Sequence, residues 1–248
     1  CVGAANLRPE TAQYIVDRVS TVAQDVGLRS GGPGCAPNLL IVASSDAEAV
    51  ARGLVAARPV AFRMGGGGMD RGRNALDDFQ KTDRPIRWWQ VSMPVDAESG
   101  VRATRIPGDC DPTTCNDAVG SVLGYAPNVA VFAASRIRTQ IVDDIFRTVV
   151  VIDVDDVSSL SALQIADYIA MVSLAQIDPD ADTSAYASIL NVFQDGSDVP
   201  TLTGWDRAYL EGLYKAERNL VSRAAGRNEV EATILRAHAR ARNGRAED

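Results

Sequence analysis

The sequence predicts an α+β domain covering residues 1–248, with helix and strand mixed in 1–157 and a mostly helical part in 158–248. Three observations lead there. The chain opens helix, strand, helix. Several short β-branched or apolar runs are then concentrated between residues 87 and 154. Beyond residue 158 every patterned segment has the helical period, beginning with one that is apolar on most of its sides.

In residues 9–27, Ala12, Ile15, Val16, Val19, Val22, Ala23 and Val26 recur at three and four, the stripe of an amphipathic helix. Pro9 suits its first turn and Gly27 its end. Loop residues fill 30–37, and NLLIVAS at 38–44 is a short apolar run that reads as a buried strand. Ser45 or Asp46 caps a second helix over 47–57. Residues 58–85, with four glycines at 65–68, read as irregular and polar. In 87–95, RWWQVSMPV, the residues Trp89, Val91, Met93 and Val95 alternate with Trp88, Gln90 and Ser92, the period of a strand with unlike faces. AESG at 97–100 turns that strand towards a partner, VRATRI. VAVFAAS (129–135) and TVVVIDV (148–154) read as further strands, with a weakly patterned helix at 138–147 between them.

The segment 158–177, SSLSALQIADYIAMVSLAQI, carries one formal charge, Asp167, as a helix buried in the middle of a domain requires. An acidic loop, a short SILNVF segment, a helix at 203–216 and a last helix at 227–242 complete the chain.

A net charge of -7 excludes a general nucleic-acid binder, because phosphate neutralisation needs a basic face. Residues 223–245 are nevertheless arginine-rich and predict a local basic surface. No run of eighteen apolar residues is present, so no transmembrane segment is expected.

The cysteines point to a compartment. Cys110 and Cys115 lie in DCDPTTCND, whose proline, threonines and aspartates favour a tight loop able to bring two sulfurs together. Cys1 and Cys35 then pair by elimination, tying the start of the sequence to the glycine-rich loop at 31–34. Two disulfides imply an oxidising compartment, periplasmic or extracellular. Two rival readings stand. A metal clip of four thiols lacks paired C-x-x-C knuckles. Lipid attachment at Cys1 leaves little tether before the first helix, some eight residues on.

Chemistry is sparse. His238 is the single histidine, so no HExxH zinc site can exist, and its neighbours Arg236 and Arg240 oppose a charged imidazole; a solvated surface residue is expected. GGGGMDRGR, 65–73, offers Arg71 and Arg73 to an anion but has neither the P-loop lysine nor dinucleotide glycine spacing. Asp178, Asp180 and Asp182 space like calcium ligands, yet Thr183 replaces the turn glycine and Ile189 the bidentate glutamate. Asp153, Asp155 and Asp156 follow a buried strand, where catalytic carboxylates and ordinary turn formers both occur.

Three segments carry a resemblance: SRIRTQIVDDIFRTVVVID (135–153), LQIADYIAMVSLAQID (163–178) and YASILNVFQDGSDVPTLTGWDRAYLEGLYKA (186–216). PGCAPNLLIV (33–42) joins them more loosely. They resemble a group of exported bacterial proteins similar in layout to zincin metallopeptidases that have lost their metal site. The resemblance implies a degenerate zincin-like scaffold in which Ala170, Met171 and Leu174 stand where the first histidine, the glutamate and the second histidine belong. None of these can ligate zinc or act as a base.

The expectation is therefore a periplasmic or secreted domain with no catalytic residue, metal or cofactor, binding or structural in the cell envelope, its partner an unspecified protein or small molecule. Two alternatives come from other classes. One is a hydrolase using Asp153, Asp155, Asp156 or Asp167, which needs two carboxylates converging in one cleft. The other is a small-molecule binder, with Trp88, Trp89 and Trp205 as candidate platforms.

Overall fold

A computed structural model describes residues 1–62, 72–101, 103, 137–194 and 196–244. The strands β1 (Val2–Ala5), β2 (Leu39–Ser44), β3 (Ile86–Asp96) and β4 (Ile141–Asp153) form one sheet in the order β1-β2-β4-β3. β1, β2 and β4 run parallel, and β3 is antiparallel to β4. Helix α1 (Pro9–Asp25) joins β1 to β2, while α2 (Ala47–Ala57), α3 (Pro59–Phe62) and α4 (Gly72–Lys81) precede β3. After β4 come α5 (Ala162–Leu174), a 3-10 turn (Ile189–Asn191), α6 (Gly204–Lys215) and α7 (Arg223–Gly244). This is the α+β class.

Period-two alternation divides the sheet into two faces. Leu39, Ile41, Ile86, Trp88, Val150 and Ile152 pack with α1 and α5 in one core. Trp89, Val91, Met93, Val149 and Val151 join Phe62, Leu76 and Phe79 in the other. Adjacent residues of one strand thus serve opposite layers, which is why 149–152 are all apolar.

Helix α5 is the centre of the first core, and every residue from Ala166 to Leu174 is buried. Ser161 and Gln164 form a reciprocal capping box at its start. Its far end is closed by side chains: Gln90 Nε2 donates to the carbonyls of Val172, Ser173 and Ala175, and Tyr214 Oη donates to Leu174. Those bonds satisfy carbonyls that a helix leaves orphaned. Helix α6 meets α7 at Gly212, where an added Cβ would come within 2.5 Å of Ile234 Cα. The glycine is what permits that approach.

Three expectations are corrected. Residues 138–147 are not helical: β4 begins at Ile141, and eleven residues of β3 pair along it, so Val142 and Ile145 are the start of a thirteen-residue strand. Pairing overrides a weak local pattern. Residues 58–85 are not irregular throughout, because α3 and α4 lie there, with Leu76 and Phe79 of α4 buried at helical spacing. β1 was not expected at all; its four residues form a strand because β2 supplies a parallel partner, Val2 opposite Leu39. Beyond AESG, Val101 and Ala103 do bond back to β3, through Asp96 N to Val101 O and Ala103 N to Pro94 O. The rest of VRATRI, the 129–135 strand and the 65–68 glycines lie outside the described residues.

Candidate functional site

The predicted site residues are not brought together. Asp167 is wholly buried in α5, where its carboxylate accepts Arg18 Nε at 2.6 Å, Thr201 Oγ1 and Leu202 N. The bond to Asp167 raises the Arg18 pKa against the opposing effect of burial. Asp153 lies at the end of β4 and accepts Asp155 N, while Asp155 and Asp156 are exposed in the turn that follows. None of these three is among the partners of Asp167. The turn-forming role explains them.

The acidic loop is likewise occupied. Asp178 accepts Asp180 N, Asp182 accepts Ser184 N, and Asp180 pairs with Arg84. Hydrogen bonds from Ser184 hold the Asp182 carboxyl below the usual range. Among the described residues no group of three or more histidines, cysteines or acids is placed to hold a metal ion. Ala170, Met171 and Leu174 are packed in the core. His238 is half-buried on α7, and Arg73 is exposed in α4.

The tryptophans divide. Trp88 and Trp89 are core residues, their indole N–H groups donating to Ile177 O and Phe62 O, so neither is a ligand platform. Trp205 is half-buried between Tyr186 and Tyr209, with ring centroids 5.1 and 5.2 Å away.

Cys1 and Cys35 form a disulfide with Cα atoms 6.1 Å apart. The bridge closes the loop after α1 against β1, and Gly31 lies under it, where a Cβ would stand 2.5 Å from Cys35 Sγ. Cys110 and Cys115 lie outside the described residues.

A site that no motif announced arises from unequal strand lengths. β2 starts at Leu39, opposite Thr148, whereas β4 starts seven residues earlier, at Ile141. Residues 141–147 therefore have β3 on one side, and no described strand continues β2 on the other. That notch, roofed by the end of α1 and by α6, is a cleft of about 620 Å³. Its apolar wall includes Val19, Leu39, Leu174, Leu213 and Tyr209. Ser173 also lines it, and the Ser173 hydroxyl, shut off from solvent, has no hydrogen-bond partner.

Charge is concentrated at the notch. Arg218 pairs with Asp144 and donates to Asp143 O, an edge carbonyl of β4. Arg147 lies over the Phe146 ring, 5.6 Å from its centroid. A register shift places Val91 opposite Arg147 and Ser92 opposite Ile145, so Phe146 is the extra residue of a bulge, the kind of irregularity that re-aims a neighbouring side chain. Arg29 comes from the disulfide-closed loop. Burial pushes the Tyr214 phenol up to about 12 and raises that of Tyr209.

Sequence reasoning also missed Asp206, a wholly buried carboxylate that accepts Ser188 Oγ, Ile189 N and Thr203 N. The Thr203-x-x-Asp206 capping box was the available signal. For the cleft there was none, since strand length is set by pairing. Compared with protein-family models, curated proteins and solved structures, the chain matches none.

Proposed function

We propose that this chain is a non-catalytic binding domain of a periplasmic or secreted protein, built on a zincin-like scaffold without zinc ligands, and that it holds a small molecule in the notch beside β4. The observation that carries this reading is the cleft itself. Its volume of about 620 Å³ falls in the range that encloses small ligands, roughly 300–1,000 Å³. Apolar side chains form one wall, and a few fixed polar groups stand at the rim. Two carboxylates line it, Asp143 and Asp144, and the second is held in an ion pair with Arg218. The Cys1–Cys35 bridge supports an oxidising compartment, and no described helix is long and apolar enough to cross a membrane.

The test is native mass spectrometry on protein isolated from its own cells, followed by thermal unfolding against a metabolite library. Expected are a one-to-one small-molecule adduct and a ligand that raises Tm. Trp205 should report it, since its ring contacts Tyr209 in the cleft wall. Bare protein with no Tm shift across the library refutes ligand binding, and zinc-dependent peptide cleavage refutes the non-catalytic assignment.

A further inference from the structure

From the charges of the cleft we infer the class of its ligand: a small amphipathic anion, with a carboxylate or phosphate head and an apolar body. The inference rests on the cleft being a binding site.

Three guanidinium groups and two carboxylates line the notch. Arg218 and Asp144 neutralise each other as an ion pair. Arg29 and Arg147 make no ion pair and no hydrogen bond among the described residues, and Arg147 has only the face of Phe146 beneath it. Asp143 is left opposing them, on the exposed side of β4. Two unmatched cations against one unmatched anion leave the rim positive, in a protein whose net charge is -7. A guanidinium offers a fork of N–H donors that fits a carboxylate or phosphate head.

One opposing effect has to be weighed. The cleft lies beside the carboxyl ends of α1, α5 and α6, and a helix end of that sign favours a cation. The α5 carbonyls, however, already accept Gln90 and Tyr214, and the α1 carbonyl of Ala23 accepts Leu28 N. Partial charges spent on those bonds do not outweigh the one net positive charge that remains. The apolar wall of Val19, Leu39, Leu174 and Leu213 then requires an uncharged body on the ligand.

The experiment titrates the whole protein with decanoate, decyl phosphate, decanol and decylamine, following Trp205 emission and calorimetric heat. Decanoate or decyl phosphate should bind at least about tenfold more tightly than decanol, the increment of a charge-assisted hydrogen bond, and decylamine more weakly still. The tighter of the two acids identifies the head. Arg29→Ala, on an exposed loop, and Arg147→Ala should each remove most of that preference and leave decanol affinity unchanged. Should Arg147→Ala fail to fold, Arg29→Ala still decides. Asp143→Asn should tighten the anion by roughly twofold, as a screened surface charge does.

Equal binding of decanol, or tighter binding of decylamine, overturns the anion assignment and leaves the cleft a ligand site. So does silence from all four probes while a library compound raises Tm. Silence from the probes and the library together overturns both.

Discussion

The two faces of the sheet are built from neighbouring residues of the same strands, yet they solve burial differently. On the α2–α4 face, Phe62, Phe79 and Trp89 pack at centroid separations near 6 Å, and no carboxylate belongs to the packing. Its one buried charge on β3, Arg87, donates to the carbonyls of Phe79 and Gln80, and desolvation lowers its pKa. The α1/α5 face buries Asp167, Asp206, Gln90 and Ser173 among a larger apolar set. Each of the first three ties a chain segment to a helix end or to another helix. The notch opens on this second face. Polar burial and the cleft occur together because the segment between α5 and α6 has no strand pairing among the described residues and is held by side-chain hydrogen bonds instead.

The largest effects should separate the faces by kind. Phe79→Ala should cost about 3–5 kcal/mol, as a cavity in a dry core, and leave decanoate affinity unchanged. Asp167→Ala should cost a similar amount, about 3–5 kcal/mol, for a different reason: it strands Arg18, Thr201 and Leu202 N. Pairing Arg18→Met with Asp167→Leu should recover much of that loss, because neither charge is then left alone. Denaturant unfolding of the single and double variants measures both. A double variant as unstable as Asp167→Ala would mean that packing of α5 against α1, and not the polar node, sets the cost.

Next in size is the bridge that carries Arg29 to the cleft. Cys1 and Cys35 are 34 residues apart, and losing a cross-link of that span costs about 4 kcal/mol by loop-closure entropy. Cys35→Ser should lower stability accordingly and weaken decanoate more than decanol, since β1 and the loop with Leu28 and Arg29 lose their clasp. Equal weakening of the two ligands would show that the bridge shapes the apolar wall and not the charge.

The contrast between faces also explains what could be read in advance. The elements α1 and β3 were legible because their apolar spacing matches their own period, β2 because it is a short continuous apolar run, and α5 because it is apolar nearly all round. The start of β4 was misread because Asp143 and Asp144 interrupt its alternation, and only the length of β3 makes it a strand. β1 is four residues of small side chains whose identity as a strand resides in β2. The site was illegible for the same reason: the notch is a difference between the lengths of two strands, a property of pairing that no local window contains. Asp167 was visible as a lone charge in an apolar helix, but its partner Arg18 is 149 residues away.

Alkaline pH should weaken the polar face selectively. All the described tyrosines lie outside the dry core, and Tyr214 donates to the end of α5. An unfolded tyrosine ionises near 10, whereas burial pushes Tyr214 up to about 12. The folded chain thus favours the neutral phenol. Its contribution is intact below about pH 10 and is lost as pH rises through about 12, on the order of 2 kcal/mol. Burial raises Tyr168 and Tyr209 as well, so the decline is shared. Tyr214→Phe isolates one part: unfolding curves across that range should slope less steeply than those of the parent. An unchanged slope would assign the loss to Tyr168 and Tyr209.

The smallest expected effect tests the floor of the cleft. A hydroxyl buried without a partner is a cost, and the alanine that removes it leaves a void of one oxygen. Ser173→Ala should therefore raise stability by about 1 kcal/mol, a Tm increase of roughly 2–4 °C for a chain of this size. Gln90 already holds the Ser173 carbonyl, so the substitution disturbs no backbone bond that the side chain supplies. A fall in Tm would mean that the hydroxyl is bonded in solution. Repeating the measurement with decanoate bound then distinguishes the partners: a deficit that grows with ligand places Ser173 against the bound molecule, and a constant deficit assigns it to water held within the fold.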